Sequence, residues 1–247
     1  MVEQFSGLSA ALSSGNFSTC FVDTTVLFSA TYPLDSFNEE CEKSFNNLAD
    51  KQVKILTNVN VRAEFLENHR RVLIAECLID LLEDEESGLD GILLEKLKAH
   101  RTSYRRKTKE EKSAKMDLNQ IKIFRRLLSA YDSDRGNGWE IFCNKYLVGR
   151  LTPIWSAAEQ IHEINFISVR SNDENEFLNS TPKWEGAVSL MGRYGLASSD
   201  AMILNMFLCS NIPVLLTADL EMAEVADKES KGSKRIFVPD SAITVTQ

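Results

Sequence analysis

Short apolar segments alternate with helical patterns towards both ends of the chain, and this alternation restricts the fold more than any other feature. Segments at residues 20–22, 53–57, 213–217 and 236–238 have the length and composition of buried strands. Between them, apolar residues recur every three or four positions, as in residues 34–48. Strands separated by helices favour a parallel sheet, so we predict an α/β fold with the strand at residues 20–22 in the centre.

The middle of the chain has a different pattern. Residues 88–162 are mostly helical in periodicity, with a Gly-Asn-Gly turn at 136–138 and a predicted helix boundary at Pro153. The alternation then resumes with a β-like segment at 164–170 and a polar loop. Further predicted helices cover residues 184–194, 199–210 and 220–227. We therefore predict a single domain over residues 1–247, with a helical insertion at residues 88–162.

The overall charge and the cysteines exclude several classes of protein. The net charge of the 247-residue chain is −8, so no global field attracts nucleic acid and any basic surface must be local. The five cysteines are scattered and form no Cys-x-x-Cys pair, which excludes a disulfide framework or a zinc ribbon and predicts buried thiols. The amino-terminal residues lack the pattern of a signal peptide, and no apolar run has the length of a membrane span. We expect a cytoplasmic protein with no membrane partner.

A local basic surface is present within the predicted insertion. Between Lys96 and Arg126, twelve Lys and Arg residues stand against three acids, a local net charge of +9. One interpretation is a nucleic-acid-binding surface, with Arg101, Arg105, Arg106 and Lys107 on phosphates and Tyr104 stacked on a base. The other is a solvated helical face whose cations pair with the acidic segment at residues 83–86.

Four acids follow or approach the predicted strands. Asp23 follows the first strand directly, Asp219 follows the third, and Glu64 lies early in the helix after the second. Asp200 lies at the start of the helix that precedes the third strand. Each acid alone is explained by helix capping or by a surface position. At the carboxyl edge of one sheet, however, clustered carboxylates repel each other unless a cation is present, and an oxygen-only site suits Mg²⁺ or Mn²⁺.

Three stretches around these acids resemble the PIN-domain nucleases. "FVDTTVLFSA" is similar to the opening strand and Asp-Thr-x-Val-Leu motif of that family, and "TNVNVRAEFLEN" to its second motif. "GLASSDAMILNMFLCSNIPVLLTADLEMAEVA" resembles its most specific region, a small-small-Asp-Ala helix, an apolar strand and Thr-x-Asp. The resemblance covers roughly residues 19–75 and 184–240, and it implies a three-layer fold. Thr25 stands where the family more often has Asn or Ser, and compact toxin-type members lack the long helical insertion.

The resemblance also implies the roles of individual residues. It makes Asp23, Glu64, Asp200 and Asp219 the catalytic, metal-binding acids, and Glu221 a further metal-binding acid. It places the hydroxyl residues Thr24 and Thr217, which belong to the same motifs, with the substrate-binding residues. The cofactor that it implies is Mg²⁺ or Mn²⁺.

The function that follows is hydrolysis of phosphodiester bonds by a metal-dependent endoribonuclease acting on single-stranded or structured RNA. No Ser-His-Asp or Cys-His arrangement competes, because the three histidines are not spaced as a set. The alternatives are a non-catalytic PIN-like protein that binds RNA or a protein partner, and a DNA- or structure-specific nuclease. A toxin-like member would have a protein inhibitor as its partner, and the sequence leaves open whether the chain forms a homodimer.

Overall fold

The computed structural model describes residues 2–15, 17–84, 89, 91–133, 136–166 and 176–244. The chain divides into two compact units. The first comprises residues 1–33, 37–65 and 158–247, and the second comprises residues 34–36 and 66–157. The predicted insertion at residues 88–162 therefore overlaps most of the second unit, whose long segment starts 22 residues earlier, at Leu66, and ends at Ala157.

The first unit contains a parallel sheet of six strands. Their bounds are β1 Val2–Gln4, β2 Thr19–Val22, β3 Lys54–Thr57, β6 Asn165–Phe166, β7 Val214–Leu216 and β8 Arg235–Val238. The spatial order is β1-β8-β7-β2-β3-β6, and every pairing is parallel. The four predicted strands and the central position of β2 are confirmed. The predicted segment 164–170 provides only β6, and residues 167–170 lie outside the described residues.

The helices of the first unit pack beside a sheet that is buried. They are α1 Leu8–Gly15, α2 Thr24–Thr31, α3 Asn38–Asp50, α9 Trp184–Tyr194, α10 Ser198–Cys209, α11 Leu220–Ser230 and α12 Asp240–Thr244, with a 3₁₀ turn at Phe5–Gly7. The three helices predicted after residue 184 are confirmed. Phe21, Leu56, Leu215 and Phe237 are at most 1% exposed, as expected for strands covered on both faces.

The second unit is mainly helical, as predicted for its residues beyond 88. Helix α4 (Val59–Glu83) enters it at Leu66, and α8 (Val148–His162) leaves it after Ala157. Between them lie α5 Gly91–Lys109, α6 Leu118–Ser129, α7 Gly138–Phe142 and a π-helical turn at Cys143–Leu147. The short strands β4 (Asp132–Ser133) and β5 (Gly136–Asn137) form an antiparallel pair. Ile74, Leu97, Phe124 and Phe142 belong to its apolar core.

The prediction that Pro153 marks a helix boundary is wrong. Pro153 lies inside α8, which continues to His162. A proline removes one backbone donor, and this helix tolerates the loss beside Thr152, whose hydroxyl donates to the Val148 carbonyl at 2.7 Å. Helical periodicity on both sides of the proline therefore outweighs its effect as a breaker.

The cysteine side chains are free thiols, and most of them are buried. All five cysteines are free; Cys20, Cys41 and Cys77 are buried, and Cys143 and Cys209 are partly buried. Within the described ranges, no helix combines the length and the apolarity that a membrane span requires.

A buried histidine in the second unit links stability to pH. Burial lowers the pKa of His69 to about 4, from an ordinary value near 6.5. As the pH falls below about 6.5, His69 becomes protonated in the unfolded chain, whereas in the folded chain it becomes protonated only near pH 4. The free energy of unfolding therefore declines between these two pH values. We expect His69→Gln to remove roughly 1–3 kcal/mol of that acid-dependent loss. Urea unfolding from pH 7 to pH 4 measures it, and an equally steep loss in the variant would contradict the assignment.

Candidate carboxylate site

Three adjacent strands bring their carboxyl ends to one edge of the sheet. In the parallel register Val22 of β2 pairs with Leu216 of β7, and Phe21 pairs with Leu56 of β3. The backbone N–H of Asp23 donates to the Leu216 carbonyl at 3.0 Å, which extends the β2–β7 pairing by one residue. The residues that follow these strands therefore meet where parallel α/β sheets place their ligands.

Asp23 is the buried centre of this edge. Its side chain is 1% exposed, and its Oδ2 accepts hydrogen bonds from Thr25 Oγ1 at 2.6 Å and Thr217 Oγ1 at 2.9 Å. It also caps α2, because Oδ2 accepts from the Thr25 backbone N–H at 3.3 Å. Burial raises the pKa of Asp23 above its ordinary value, and the two hydroxyl donors oppose that rise. A cation beside Asp23 would favour the ionised form.

Thr217 joins Asp23 to Asp219. Its hydroxyl donates to Asp23 and accepts from the Asp219 backbone N–H at 3.0 Å. Asp219 Oδ1 in turn accepts from the Met222 N–H at 3.0 Å, so this residue is the N-cap of α11. Asp219 therefore does cap a helix, as the first interpretation of this residue states. The cap uses Oδ1, which leaves Oδ2 of the same carboxylate for another role.

Thr24 joins α2 to α4 through Glu64. The Thr24 hydroxyl donates to Glu64 Oε2 at 2.8 Å, and Thr24 is 2% exposed. Thr217 is fully buried as well. Both hydroxyls are covered and donate to carboxylates, so Thr24 and Thr217 position the acids, and their part in substrate binding stays a prediction.

Asp200 shares one electrostatic environment with the other acids. Burial, followed by the negative charges of the acids around it, raises the pKa of Asp200 to about 7. Those acids, in order of effect, are Glu64, Asp23, Asp219 and Glu221. Helix α10 begins at Ser198 after an Ala197 N-cap, and no side chain caps it by a hydrogen bond. Capping thus accounts for Asp219 and Asp23 but not for Asp200.

The acids are close enough to interact but are not arranged as a closed ligand shell. Among the residues that the structure describes, no group of three or more His, Cys, Asp and Glu side chains is assembled to hold a metal ion. Electrostatic coupling acts over longer distances than ligation, which requires oxygens about 2.0–2.6 Å from the cation. Asp23, Asp219 and Glu64 are each held by a hydroxyl or a backbone N–H. Mg²⁺ in proteins is often bound through only one or two carboxylates, with water completing the shell. The donor set of oxygens fits Mg²⁺ or Mn²⁺ on these grounds.

Two further residues support the edge and were not assigned a role from the sequence. Thr25 Oγ1 donates to Asp23 and accepts from the Ala218 N–H at 2.9 Å, so it connects the ends of β2 and β7. Asn58, 1% exposed, accepts from the N–H groups of Asn60 and Val61 at 3.1 Å and starts α4, which carries Glu64. The signal available in the sequence was a polar residue directly after an apolar strand.

The predicted RNA-binding residues of the basic segment lie in the second unit, and they differ in exposure and in ion pairing. Arg105 pairs with Glu83 at 3.3 Å, as the solvated-face interpretation expects, while residues 85 and 86 of the acidic segment lie outside the described residues. Tyr104 is half-buried against the apolar core of this unit. Arg106 is exposed, and Arg101 and Lys107 are partly exposed. Ion pairing thus reduces the charge available from Arg105 more than from its neighbours.

Comparison with known proteins adds no further assignment. No protein-family model, no curated protein and no solved structure matches this chain. The fold and the site define a parallel α/β protein with a carboxylate cluster at the carboxyl edge of its sheet. Its activity must be inferred from these residues.

Proposed function

We propose that the chain is a divalent-metal-dependent nuclease of the PIN-like type, and specifically an endoribonuclease. The observation that carries this proposal is the hydrogen-bonded chain at the carboxyl edge of the sheet. Thr217 joins Asp23 to Asp219, and Thr24 joins the segment after β2 to Glu64. Acids from separate parts of the sequence are thereby held at the position where α/β proteins bind ligands.

The negative charges of these acids favour a divalent cation as their ligand. Burial first, and then the four neighbouring acids, raise the pKa of Asp200 to about 7, so its ionised form is both poorly solvated and repelled by those acids. A divalent ion relieves this repulsion, and Asp23, Asp200, Asp219, Glu64 and Glu221 are the residues that would hold it. When bound, Mg²⁺ or Mn²⁺ supplies neutralisation of the phosphate charge and a water of lowered pKa.

The protein residues have separable tasks in this proposal. Asp23, fixed by two hydroxyl donors, provides a rigid buried carboxylate. Asp219 uses one oxygen to cap α11 and offers the other to the site. Glu64 is held by Thr24 through one oxygen and can offer the other, and Asp200, whose side chain makes no capping hydrogen bond, is the acid with the most freedom to orient a ligand or an attacking water.

Two other functions would use the same fold. A DNA- or structure-specific nuclease needs the same acid cluster, and a non-catalytic PIN-like protein would bind RNA or a protein partner without it. A toxin-like role would bring a protein inhibitor as partner, the homodimeric state stays open, and the cytoplasmic location remains an expectation from the sequence. The decisive experiment is hydrolysis of labelled single-stranded RNA, double-stranded RNA and single-stranded DNA, each with Mg²⁺, with Mn²⁺ and with EDTA. Cleavage of RNA only when metal is present supports the proposal, and absence of any cleavage overturns it.

RNA affinity should depend on the basic segment of the second unit. Charge reversal of Arg105, Arg106 and Lys107 to Glu should weaken RNA binding and flatten its salt dependence. Each lost phosphate contact should lower the slope of log K against log salt by about 0.7 on single strands. Fluorescence anisotropy titrations across a salt series, in EDTA, measure both quantities. Reversal of Lys43, Lys51 and Lys183, exposed lysines of the first unit, is the control of equal charge. Equal losses of RNA affinity in the two triple variants would favour the interpretation of this segment as a solvated helical face.

A further inference from the structure

A cavity of about 300 Å³ lies in the second unit between α5 and α6. Its α5 wall includes Lys96, Ala99, His100, Tyr104 and Lys107, spaced at three- and four-residue intervals, so they lie on one face of that helix. Ile123 and Phe124 of α6 provide the opposite wall. The volume is at the lower end of the roughly 300–1,000 Å³ range of small-ligand sites, which fits one ring system.

The cavity has an aromatic, apolar middle and a cation at each end of its α5 wall. Lys96 and Lys107 are eleven positions apart, about 16 Å along the helix axis. Among the described residues, neither lysine has an ion-pair partner, whereas nearby Arg105 pairs with Glu83 and Lys112 with Glu110. Lys96 and Lys107 are thus among the cations of this segment that are available to an anionic ligand, and they border the cavity.

The aromatic wall is fixed by contacts within the unit. His100 Nε2 lies 2.8 Å from the Ala75 carbonyl oxygen, and because that oxygen can only accept, Nε2 is the donor. The His100 ring meets the Phe124 ring edge-on with centroids 5.6 Å apart. Burial lowers the pKa of His100 from its ordinary value of 6.5, against the opposing effect of the Ala75 hydrogen bond, and so favours the neutral ring. The middle of the cavity therefore carries aromatic surface without charge.

We infer that this cavity is a nucleotide subsite, which takes one base of a single-stranded RNA while phosphates further along the strand on either side lie on Lys96 and Lys107. Ring surface stacks on bases of any sequence, and separated cations follow a strand backbone. A fatty acid would use one cation and needs a longer apolar channel. This inference goes beyond the proposed nuclease activity, because binding here requires neither a metal nor the acid cluster.

The test uses the full chain, a fluorescently labelled single-stranded oligoribonucleotide and EDTA, with affinity measured by anisotropy. Lys96→Glu with Lys107→Glu should weaken binding about tenfold more than Lys98→Glu with Lys109→Glu, a pair on the same helix that does not border the cavity. Ala99→Trp fills the cavity and should weaken binding about tenfold, the scale of one lost base stack. Thr102→Trp, exposed on the same helix outside the cavity, should bind like the parent. Ala99, Thr102 and Lys96 are exposed, and circular dichroism melts verify that each variant folds.

Several results would overturn the subsite. They are equal losses for the two charge-reversal pairs, parental affinity of Ala99→Trp, and no RNA binding by the parent. Stronger competition by an acidic amphipathic peptide than by unlabelled oligoribonucleotide would assign the cavity to a protein partner instead. Competition by free nucleoside monophosphate separates a site for free nucleotide from one that requires a strand. Because these assays measure binding in EDTA and require no cleavage, failure of the nuclease proposal leaves their outcomes unaffected.

Discussion

Replacement of Asp23, Asp200 or Asp219 by Asn should abolish metal-dependent RNA cleavage while leaving the chain folded. Asn has nearly the volume of Asp and is an equally good N-cap, so the caps that Asp23 and Asp219 provide are retained. What is lost is a negative charge at the cluster, which a divalent cation requires. We expect a fall in the cleavage rate of at least about a hundredfold, the scale for removing one group that stabilises a transition state electrostatically. Glu64→Gln should also be strongly impaired.

Controls on the same elements make this result specific. Asp50→Asn at the exposed end of α3 and Glu224→Gln on the exposed face of α11 remove acids that do not act on Asp200. Both should cleave like the parent. Initial rates on labelled single-stranded RNA with Mg²⁺ and with Mn²⁺ are the measurement, beside thermal melts of every variant. Cleavage by the Asn variants at parental rates would reduce the acids of this edge to helix caps.

Asp200→Asn should raise the stability of the chain at neutral and alkaline pH but not at acidic pH. The pKa of Asp200 is about 7 in the folded chain, against 3.8 as its ordinary value. Between these pH values the unfolded chain loses its proton first, so the parent loses stability as the pH rises from about 4 to 7. Asn does not titrate and avoids this loss. Because Asp200 is partly exposed, we expect Asp200→Asn to raise the free energy of unfolding by only about 1 kcal/mol at pH 8. This corresponds to an increase of roughly 2–4 °C in Tm.

Mn²⁺ should reverse the order of thermal stability of the parent and Asp200→Asn. At pH 8, Mn²⁺ should raise the Tm of the parent through preferential binding to the folded state, and it should raise that of Asp200→Asn less. Melts at pH 4.5 and pH 8, with Mn²⁺ or with EDTA, measure both effects, and Asp50→Asn should follow the parent throughout. A stability gain of the same size at both pH values would show that repulsion among the acids is not its cause. His69 has the opposite pH dependence over an overlapping window, so the comparison must be made between variants and not from the parent alone.

The parallel sheet was predictable because it depends on patterns that are local in sequence. Strands of three to five mostly apolar residues, alternating with helical periodicity, identified β2, β3, β7 and β8. The approach of Asp23, Glu64 and Asp219 to one edge followed from the parallel topology alone. Strand β1 was missed, since Val-Glu-Gln is too short and too polar to indicate a strand, and it forms through pairing with β8.

Other parts of the molecule depend on contacts that no local pattern contains. The hydroxyls of Thr24 and Thr217 donate to the carboxylates of Glu64 and Asp23, which are 40 and 194 positions away in sequence. The linking role of Thr25 requires the β2–β7 register, which joins residues almost two hundred positions apart. Residues 34–36 belong to the helical unit only because of the contacts they make in the folded chain. The cavity between α5 and α6 likewise depends on how these helices pack.

The position of β7 has a consequence for the order in which the chain is synthesised. β7 lies between β2 and β8 in the middle of the sheet, although almost all of the chain precedes it in sequence. A nascent chain that stops before residue 213 contains Asp23, Glu64 and Asp200 but lacks the strand that aligns Asp23 and the two acids that follow. If the proposed activity is correct, unfinished chains cannot cut the message that encodes them, and the nuclease becomes competent only after β7 has left the ribosome.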